Sequence, residues 1–292
     1  MKRALILNAV NPKIGGVLVR GKKGTAKSTA VRSLAALLPE VTVVQGCPYN
    51  CSPEERQGLC TRCETSSDDS EIVVRQIPIV DLPVGATEDR LVGSLDIEEA
   101  IKTGNRVFEP GLIAGTHRGI LYIDEVNLLN DHLVDILLDA AAMGRNYVER
   151  EGISITHRSE FILVGTMNPE EGDLRPQLLD RFGLAVEVDG RFTPEERQEV
   201  VKRRIAYESD PQTFMAQWQQ SEQEERDRVI RSQRLLPQVT VGDNILELIT
   251  SICAEYDVDG MRGDITMYKT CLLYTSDAAD DTPCVDLGGR RI

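Results

Sequence analysis

Apolar residues in the N-terminal part of the chain first recur at helical spacing and then gather into short uninterrupted runs. Residues 1–12 have the helical spacing, and residues 17–19 form the first run. A glycine-rich turn follows and leads into a second helical pattern over residues 30–38, after which residues 41–44 form another run. Uninterrupted apolar runs are typical of strands buried on both faces. The pattern therefore predicts a strand–turn–helix–strand unit behind an N-terminal helix.

The middle of the chain contains further apolar runs, several of which end in polar residues. Residues 76–82, 120–123 and 161–166 predict three more strands. Short helices and loops connect them: residues 97–102 are predicted to be helical, and residues 108–112 to be a loop. Strands that alternate with helices predict a parallel sheet.

Two local patterns follow the run at residues 120–123. Asn130 or Asp131 is predicted to cap a helix whose apolar residues lie on one face. Residues 147–155 then alternate as expected for a β-hairpin, with its turn across Glu151 and Gly152.

The C-terminal part of the chain changes to a charge-rich helical pattern. Thr193 and Glu196 have the spacing of a capping box, so a helix is expected to begin there. One amphipathic helix is predicted over residues 195–232 and another over residues 243–256. We interpret residues 191–270 as a separate all-α lid.

Composition narrows the class of protein. The 292 residues are enough for one large or two modest domains, and we assign residues 1–190 to an α/β core. With 33 basic and 47 acidic residues the net charge is −14, which argues against a nucleic-acid binder. No run is long enough to span a membrane and no signal peptide is visible, so we expect a cytoplasmic protein.

The turn after the first strand has the composition of a phosphate-binding loop, here called the phosphate loop (residues 21–29). Its glycines let backbone N–H groups point at one place, and the following helix adds free N–H groups and a positive dipole end. Lys27 supplies a cation for the outer phosphates, and the Ser28 hydroxyl is placed to ligate Mg²⁺. Ala26 occupies a position where the strict motif has glycine, so the alternative is a loop with a chance Lys-Ser pair. The residues predicted to bind ATP are Gly21, Gly24, Thr25, Ala26, Lys27, Ser28 and Thr29.

Polar residues at the ends of two predicted strands supply candidate catalytic groups. Asp124 and Glu125 follow the run at residues 120–123, where they would face a ligand crevice. Asp124 is predicted to hold the Mg²⁺ shell and Glu125 to polarise the attacking water; the alternative is a chance acidic pair. Asn168 follows the run at residues 161–166 and can orient a water against a phosphate, unless it belongs to a plain Asn-Pro turn.

Two arginines, Arg175 and Arg181, stand near the end of the predicted core. An exposed arginine can serve the nucleotide of the next subunit by neutralising charge on the transferred phosphoryl group. The alternative is a surface salt bridge with Asp180.

Four of the seven cysteines gather in a segment that we define as a Cys-rich insert, residues 46–64. Two of the four have the C-x2-C spacing of a metal knuckle, and the other two would complete a set of four thiolates. Four thiolates leave no open position, so a bound Zn²⁺ would be structural; the alternative is loop cysteines without metal. The four are Cys47, Cys51, Cys60 and Cys63.

Five stretches of the chain point together to one family: residues 21–29, 85–93, 108–112, 119–129 and 165–183. With them the chain resembles, over about residues 1–270, the AAA+ ATPase (I-type) subunit of magnesium chelatase and its cobalt-chelatase relatives. The resemblance implies an AAA+ P-loop NTPase core, in which helices flank a parallel five-stranded sheet, and an α-helical lid. It also implies assembly as a homo-hexameric ring.

The resemblance assigns a role to each residue that matches a family motif. These are Lys27 and Ser28 as the Walker A pair, Asp124 and Glu125 as the Walker B pair, Asn168 as sensor 1, Arg181 as arginine finger with Arg175 behind it, and Arg262 as the sensor-2 arginine of the lid. The four-cysteine insert is similar to that of some chelatase relatives but not of every I-type subunit.

The activity implied by the resemblance is ATP hydrolysis, with Mg²⁺, that drives insertion of Mg²⁺ into protoporphyrin IX. The implied partners are a D-type AAA+ subunit with an adhesion domain and a large subunit that holds the porphyrin. One alternative is a cobalt chelatase that acts on a corrin precursor, and another is a MoxR-like remodelling ATPase. A ring component that binds ATP without turnover is the non-enzyme alternative, and the intact pair Asp124 and Glu125 together with Arg181 argues against it.

Both ends of the chain depart from the family pattern. A family segment that helps to hold the adenine would precede residue 1, so we expect the native chain to begin earlier. Residues 271–292 resemble a translated sequencing adaptor, and we expect residues 271–280 not to continue the lid helix. Cys271 and Cys284 would then have no function.

Overall fold

The structure is a computed structural model that describes residues 1–55, 60, 63, 71–96, 101–102, 107–150 and 153–278. The strands are β1 Val17–Gly21, β2 Val41–Val44, β3 Ile72–Arg75, β4 Ile79–Leu82, β5 Gly93–Leu95, β6 Phe108–Pro110, β7 Ile120–Ile123, β8 Arg145–Arg150, β9 Ile153–Arg158, β10 Ile162–Met167 and β11 Leu184–Val188. The α-helices are α1 Lys2–Val10, α2 Lys27–Leu37, α3 Glu88–Val92, α4 Leu112–Thr116, α5 Asp131–Met143, α6 Pro176–Leu179, α7 Pro194–Ser209, α8 Pro211–Leu235, α9 Asp243–Glu255 and α10 Arg262–Ala278. Short 3-10 turns lie at Pro12–Ile14, Pro53–Glu55, Val126–Leu128, Pro169–Glu171 and Leu236–Gln238.

Five strands form the central sheet in the order β11-β1-β10-β7-β4, and each neighbouring pair is parallel. Val17 of β1 lies beside Val164 of β10 on one side and Leu184 of β11 on the other. Parallel strands are covered on both faces, which explains why uninterrupted apolar runs form them. The predicted five-stranded parallel sheet is confirmed. The carboxyl ends of β1, β10 and β7 lie side by side at one edge, where parallel sheets bind ligands.

Two apolar clusters cover the two faces of the sheet. Side chains alternate along a strand, so Leu18 joins one cluster while Val17 and Val19 join the other. The Leu18 cluster contains residues of α3, α4 and α5, and the Val17 cluster contains residues of α1, α2, α8 and α10. Helices on both faces of a parallel sheet define the α/β class, as the sequence predicted.

Among the described residues, three antiparallel ribbons lie outside the central sheet: β2 with β3, β5 with β6, and β8 with β9. The predicted hairpin over residues 147–155 corresponds to β8 and β9, although its turn residues Glu151 and Gly152 lie outside the described residues. The prediction that residues 108–112 form a loop is wrong, because Phe108–Pro110 pairs with Gly93–Leu95. Gly93 has a φ of 108°, and a Cβ there would lie 2.6 Å from the Glu109 carbonyl oxygen, so only glycine permits this close pairing.

Two other expectations about the helices meet different outcomes. For the helix predicted over residues 97–102, residues 97–100 lie outside the described part, and Ile101 and Lys102 are helical. The single helix predicted over residues 195–232 is wrong, since α7 ends at Ser209 and α8 begins at Pro211. The Asp210 side chain caps α8 by accepting from the N–H groups of Gln212 and Thr213, both at 3.1 Å, so a second helix starts there.

The expectation that residues 271–280 do not continue the lid helix is wrong as far as Ala278. Helix α10 runs from Arg262 through these residues, which contain neither proline nor glycine up to that point. Leu273 is 1% exposed and packs into the Val17 cluster, so an apolar anchor holds this part of the helix. Residues 279–292, and with them Cys284, lie outside the described part of the chain.

The C-terminal helices dock directly onto the core. Lys2 and Glu225 form an ion pair at 2.6 Å, and the Gln233 amide donates to the Ala9 carbonyl at 3.0 Å. Lys269 of α10 donates to the Lys13 carbonyl at 2.6 Å. Within the described residues, no helix combines the length and the apolar character needed to cross a bilayer. The domain boundary at residue 190 stays a prediction.

Candidate functional site

The phosphate loop lies between the carboxyl end of β1 and the first turn of α2. Gly24 has a φ of 80°, and a Cβ built on it would have no atom within 4 Å, so this side of the loop is open. Ala26 lies at the N-terminus of α2 with a φ of 58° and caps it without a side-chain hydrogen bond. The first N–H groups of α2 therefore remain available to an anion.

Lys27 curls back over this loop. Its ammonium group donates to the carbonyl of Gly21, and it donates to the carbonyl of Lys22 at 2.9 Å. Burial lowers the pKa of the Lys27 ammonium from its usual value, and the carboxylates of Asp124 and Glu125 oppose that shift. Both acceptors are backbone oxygens of the loop, so Lys27 can exchange them for phosphate oxygens.

Asp124 is fixed at the end of β7 by two hydroxyl groups. Thr166 and Tyr122 donate to its Oδ1 at 2.6 Å and 2.8 Å, and the Tyr122 hydroxyl also lies 3.0 Å from Ser28 Oγ. Burial raises the pKa of Tyr122, so its hydroxyl keeps the proton that it donates. The two predicted Mg²⁺ ligands, Ser28 and Asp124, thus belong to one hydrogen-bonded network.

Sequence reasoning missed Tyr122 and Thr166. A signal for Tyr122 was present, because residues two apart on a strand point to the same face, which places Tyr122 with Asp124. Thr166 comes from the neighbouring strand β10, and only the pairing of β10 with β7 brings it to Asp124.

Glu125 lies next to Asp124 with a left-handed backbone, φ 56°. Its N–H donates to Thr166 Oγ1 at 3.2 Å, and its Oε1 lies 3.4 Å from the Lys23 ammonium. Lys23 also contacts Glu171 Oε1 at 2.5 Å, and this hydrogen bond lowers the pKa of Glu171. Asn168 is 4% exposed, and its side-chain oxygen accepts from the Glu170 N–H at 3.3 Å.

These residues surround one cavity of about 330 Å³, here called the phosphate-loop cavity. The structure brings together nine of the predicted site residues there, and Gly21 contributes its carbonyl to Lys27 instead of lining the cavity. The lining residues are Lys23, Gly24, Thr25, Ala26, Lys27, Ser28, Thr29, Asp124, Glu125, Thr166, Met167 and Asn168.

Arg181 and Arg262 lie next to each other but do not line the phosphate-loop cavity. Arg181 pairs with Asp135 at 2.8 Å and with Asp139 at 3.1 Å, both on α5, and Arg262 donates to the Arg181 carbonyl at 2.7 Å. The alternative considered for Arg181, a salt bridge with Asp180, is not the pair observed. Arg175 pairs with Asp131 at 2.7 Å.

The donor set of the cavity fits a nucleoside triphosphate with Mg²⁺. Free N–H groups of α2 and the Lys27 ammonium suit phosphate oxygens, which are strong acceptors. The oxygens of Ser28 and Asp124 are the hard ligands that Mg²⁺ prefers.

The four cysteines of the insert converge in a second site, here called the cysteine cluster. All four sulfurs lie within 4.8 Å of one another, and three pairs are 3.4, 3.7 and 3.8 Å apart. Two Zn–S bonds of about 2.3 Å at a tetrahedral angle place the sulfurs about 3.8 Å apart. A hydrogen bond from Cys51 lowers the pKa of Cys47 to about 5, whereas that same hydrogen bond raises the pKa of Cys51 and burial raises the pKa of Cys63.

Comparisons with known proteins agree on one family. The family described as "Magnesium chelatase, subunit ChlI" matches residues 97–178. The magnesium-chelatase subunit ChlI homolog of Methanocaldococcus jannaschii is 54% identical over 272 residues, which are 92% of this chain and 74% of that protein. The magnesium-chelatase subunit ChlI of Synechocystis is 51% identical over 268 residues, which are 91% of this chain and 75% of that protein.

The fold of this chain is also similar to that of a solved structure from the same family. It is the complex between subunits BchI and BchD of magnesium chelatase, matched with a TM-score of 0.61 and 43% identity over 94% of this chain and 91% of that chain. A parallel sheet with a phosphate loop at the end of one strand and an acidic pair at the end of another is shared by P-loop ATPases. The five-stranded sheet, the helical C-terminal part and the likeness to BchI place this chain in the AAA+ class of them. At 54% and 51% identity to the relatives, the chain belongs to the ChlI family of magnesium-chelatase subunits.

Proposed function

We propose that this chain is the ATP-hydrolysing subunit of a magnesium chelatase, in which ATP turnover drives insertion of Mg²⁺ into protoporphyrin IX. The observation that carries the proposal is the convergence of the phosphate loop, the acidic pair and Asn168 on one cavity. The name of the Synechocystis relative, magnesium-chelatase subunit ChlI, supplies the substrate class.

Six residues of the site have a defined task in this proposal. Lys27 and the N–H groups of α2 bind the phosphates, and Ser28 and Asp124 hold the Mg²⁺ that neutralises phosphate charge. Glu125 accepts a hydrogen bond from the attacking water and polarises it, while Asn168 orients that water. Tyr122 keeps the carboxylate of Asp124 turned toward Ser28 through its hydroxyl.

Arg181 and Arg262 are proposed to act in a homo-hexameric ring. Their position outside the phosphate-loop cavity of their own chain favours a role for Arg181 at the nucleotide of the neighbouring subunit. The structure matched at 43% identity is a complex of BchI with BchD, so we propose a D-type partner for this chain as well. A large porphyrin-binding subunit would complete the enzyme.

ATP turnover by this chain tests the proposal. We expect Mg²⁺-dependent hydrolysis that falls at least about a hundredfold in Glu125→Gln while ATP binding persists, because the amide no longer polarises water. Glu149→Gln, on the exposed hairpin strand β8, is the matched control and keeps turnover. A parent chain that binds ATP without hydrolysing it would contradict the proposal and favour a non-catalytic ring component.

A reconstitution assay tests the metal and the tetrapyrrole. Adding candidate D-type and large subunits, ATP, Mg²⁺ and protoporphyrin IX is expected to yield the fluorescence of the Mg²⁺-porphyrin. Formation of a cobalt corrinoid instead, under the same conditions with Co²⁺, would assign the chain to the cobalt branch.

We also propose that the cysteine cluster holds a structural Zn²⁺. The sulfur separations support this assignment, because they match those of four thiolates around one tetrahedral Zn²⁺. We expect about one zinc ion per chain by mass spectrometry of metals, lost in Cys63→Ser. Cys253→Ser replaces a buried cysteine outside the cluster and keeps the metal. Zinc absent from the parent, or retained in Cys63→Ser, would refute the assignment.

A further inference from the structure

Two lysines of the phosphate loop pair with two glutamates of the 3-10 turn Pro169–Glu171. Lys22 contacts Glu170 at 2.9 Å, and Lys23 contacts Glu171 at 2.5 Å. The turn directly follows Asn168, so these pairs connect the phosphate loop to the end of β10. The two pairs are alike in residue type and in the elements that they join.

The two pairs differ in what else they reach. The Lys23 ammonium also lies 3.4 Å from Glu125, so one cation stands between two carboxylates. Glu125 and Glu171 have side chains 29% and 26% exposed, whereas Glu170 is 60% exposed. The two lysines are similarly exposed, 73% for Lys22 and 68% for Lys23, so the pairs differ in their carboxylates. The partial burial of Glu171 strengthens its interaction with Lys23 relative to that of Glu170 with Lys22.

We propose that Glu171 is a positioning residue for ATP hydrolysis: by holding Lys23, it sets the place and the charge environment of the Glu125 carboxylate. The inference rests on the proposed function, in which Glu125 polarises the attacking water. Lys23 lies closer to Glu171 than to Glu125, so it steadies the Glu125 carboxylate and leaves that group available to water. Glu171 acts chiefly through Lys23, its strongest partner, although its carboxylate also contacts the side chains of Glu125 and Asn168. It has no task at the phosphate itself.

Removing either partner upsets this arrangement in a different way. Without the Glu171 charge, Lys23 pairs with Glu125 alone and turns its carboxylate away from the water. Without Lys23, Glu125 and Glu171 face each other as like charges, which repel. Removing both leaves Glu125 without the competing cation and without the repelling carboxylate, so part of the loss is reversed.

The test compares steady-state ATP hydrolysis by variants of the two pairs. Glu171→Gln is expected to lower kcat about tenfold with little change in KM for ATP, because a misplaced Glu125 affects the chemical step and not nucleotide binding. Glu170→Gln, the matched control in the same turn, is expected to change kcat by less than about twofold, since it breaks an exposed pair. Lys23→Arg keeps the bridging cation and is expected to lose less kcat than Lys23→Met, which removes it.

The double variant separates charge positioning from simple tethering of the loop. The loss in Lys23→Met/Glu171→Gln is expected to be smaller than the product of the two single losses, because the two residues act as one unit. Equal losses in Glu170→Gln and Glu171→Gln, a rise in KM alone, or multiplicative losses would overturn the inference. An active parent with an unaffected Glu171→Gln variant overturns this inference alone, whereas an inactive parent overturns the proposed function with it. A fluorescent ATP analogue, bound equally by all variants, verifies that they are folded.

Discussion

At the scale of single residues, the phosphate loop stores strain at Ala26. Its φ of 58° and ψ of 27° are left-handed, which costs an L-residue about 1–2 kcal/mol. Glycine removes that cost but adds freedom to the unfolded chain, so Ala26→Gly is expected to raise the free energy of unfolding by about 0.5–1 kcal/mol. Urea denaturation measures the change. Gly24→Ala, at a φ of 80°, is the opposite substitution and is expected to destabilise the chain; a stabilised Gly24→Ala would refute the strain argument.

Sequence and structure agree most closely for residues whose chemistry lies in a local motif. Lys27, Ser28 and Asp124 were predicted because motif spacing and strand ends place them without knowledge of the fold. The Lys23–Glu171 contact could not be predicted in this way, since it joins two distant parts of the chain through the pairing of β1 with β10. Thr166 and Glu171 could not be found in the sequence because each positions a group from a distant part of the chain.

At the scale of elements, the lid helices differ in how they are held. None of the residues of α7 is buried, and the helix contacts α8 through exposed side chains such as Tyr207, which meets Phe214. Its first turn is held by a capping box, in which Thr193 and Glu196 exchange hydrogen bonds at 3.2 and 2.8 Å. Thr193→Ala is expected to destabilise α7 by about 1 kcal/mol, which speeds amide exchange in its first turn about fivefold. The urea midpoint of the whole chain should stay the same. Thr250→Ala, in α9, is the control; unchanged exchange in Thr193→Ala would contradict the role of the cap.

The ends of helices and strands were predictable where a capping residue marks them, and they were harder to predict at other places. The capping box at Thr193 correctly predicts where α7 begins. The predicted single helix, however, continues across Asp210 and Pro211, although Pro211 lacks the N–H that a continuous helix needs. Ribbon β5–β6 was missed because three residues are too few for a period to emerge. The pairing of β5 with β6 depends on the close approach of the Gly93 backbone to the Glu109 carbonyl, and no local sequence pattern predicts that contact.

At the scale of the whole molecule, buried histidine links stability to pH. His117 is 4% exposed, its Nδ1 accepts from the Glu160 N–H at 3.1 Å, and burial lowers its pKa to about 4. In the unfolded chain the pKa returns to about 6.5, so between these values only the unfolded state binds the proton. This contribution is complete above pH about 6.5, and the free energy of unfolding falls by up to about 3 kcal/mol as the pH drops to about 4.

A variant that keeps the acceptor isolates this effect. His117→Asn offers an oxygen near the place of Nδ1 but has no group that titrates, so urea midpoints should depend less on pH between about 4 and 6.5. His132→Asn replaces a histidine whose side chain is 66% exposed and should keep the pH dependence of the parent. An unchanged slope in His117→Asn would show that other groups govern acid unfolding.

In the proposed ring, the position of Arg181 bears on whether each catalytic site is completed between two subunits. Its guanidinium group is held by Asp135 and Asp139 on α5, away from the phosphate-loop cavity that Glu125 lines. If the arginine acts on a neighbour's nucleotide, each site needs Glu125 from one subunit and Arg181 from the next. Glu125→Gln and Arg181→Ala should therefore each abolish turnover alone.

Mixing these two variants separates action between subunits from action within one. Each chain in the mixture lacks one group but supplies the other, so some interfaces contain both native residues. Random mixing in equal amounts gives about one quarter of such interfaces, and ATP hydrolysis should return toward about one quarter of the parent rate. Arg175→Ala mixed with Glu125→Gln repeats the experiment for the neighbouring arginine. If Arg181 served its own chain, every subunit in the first mixture would lack an essential group, and no activity would return.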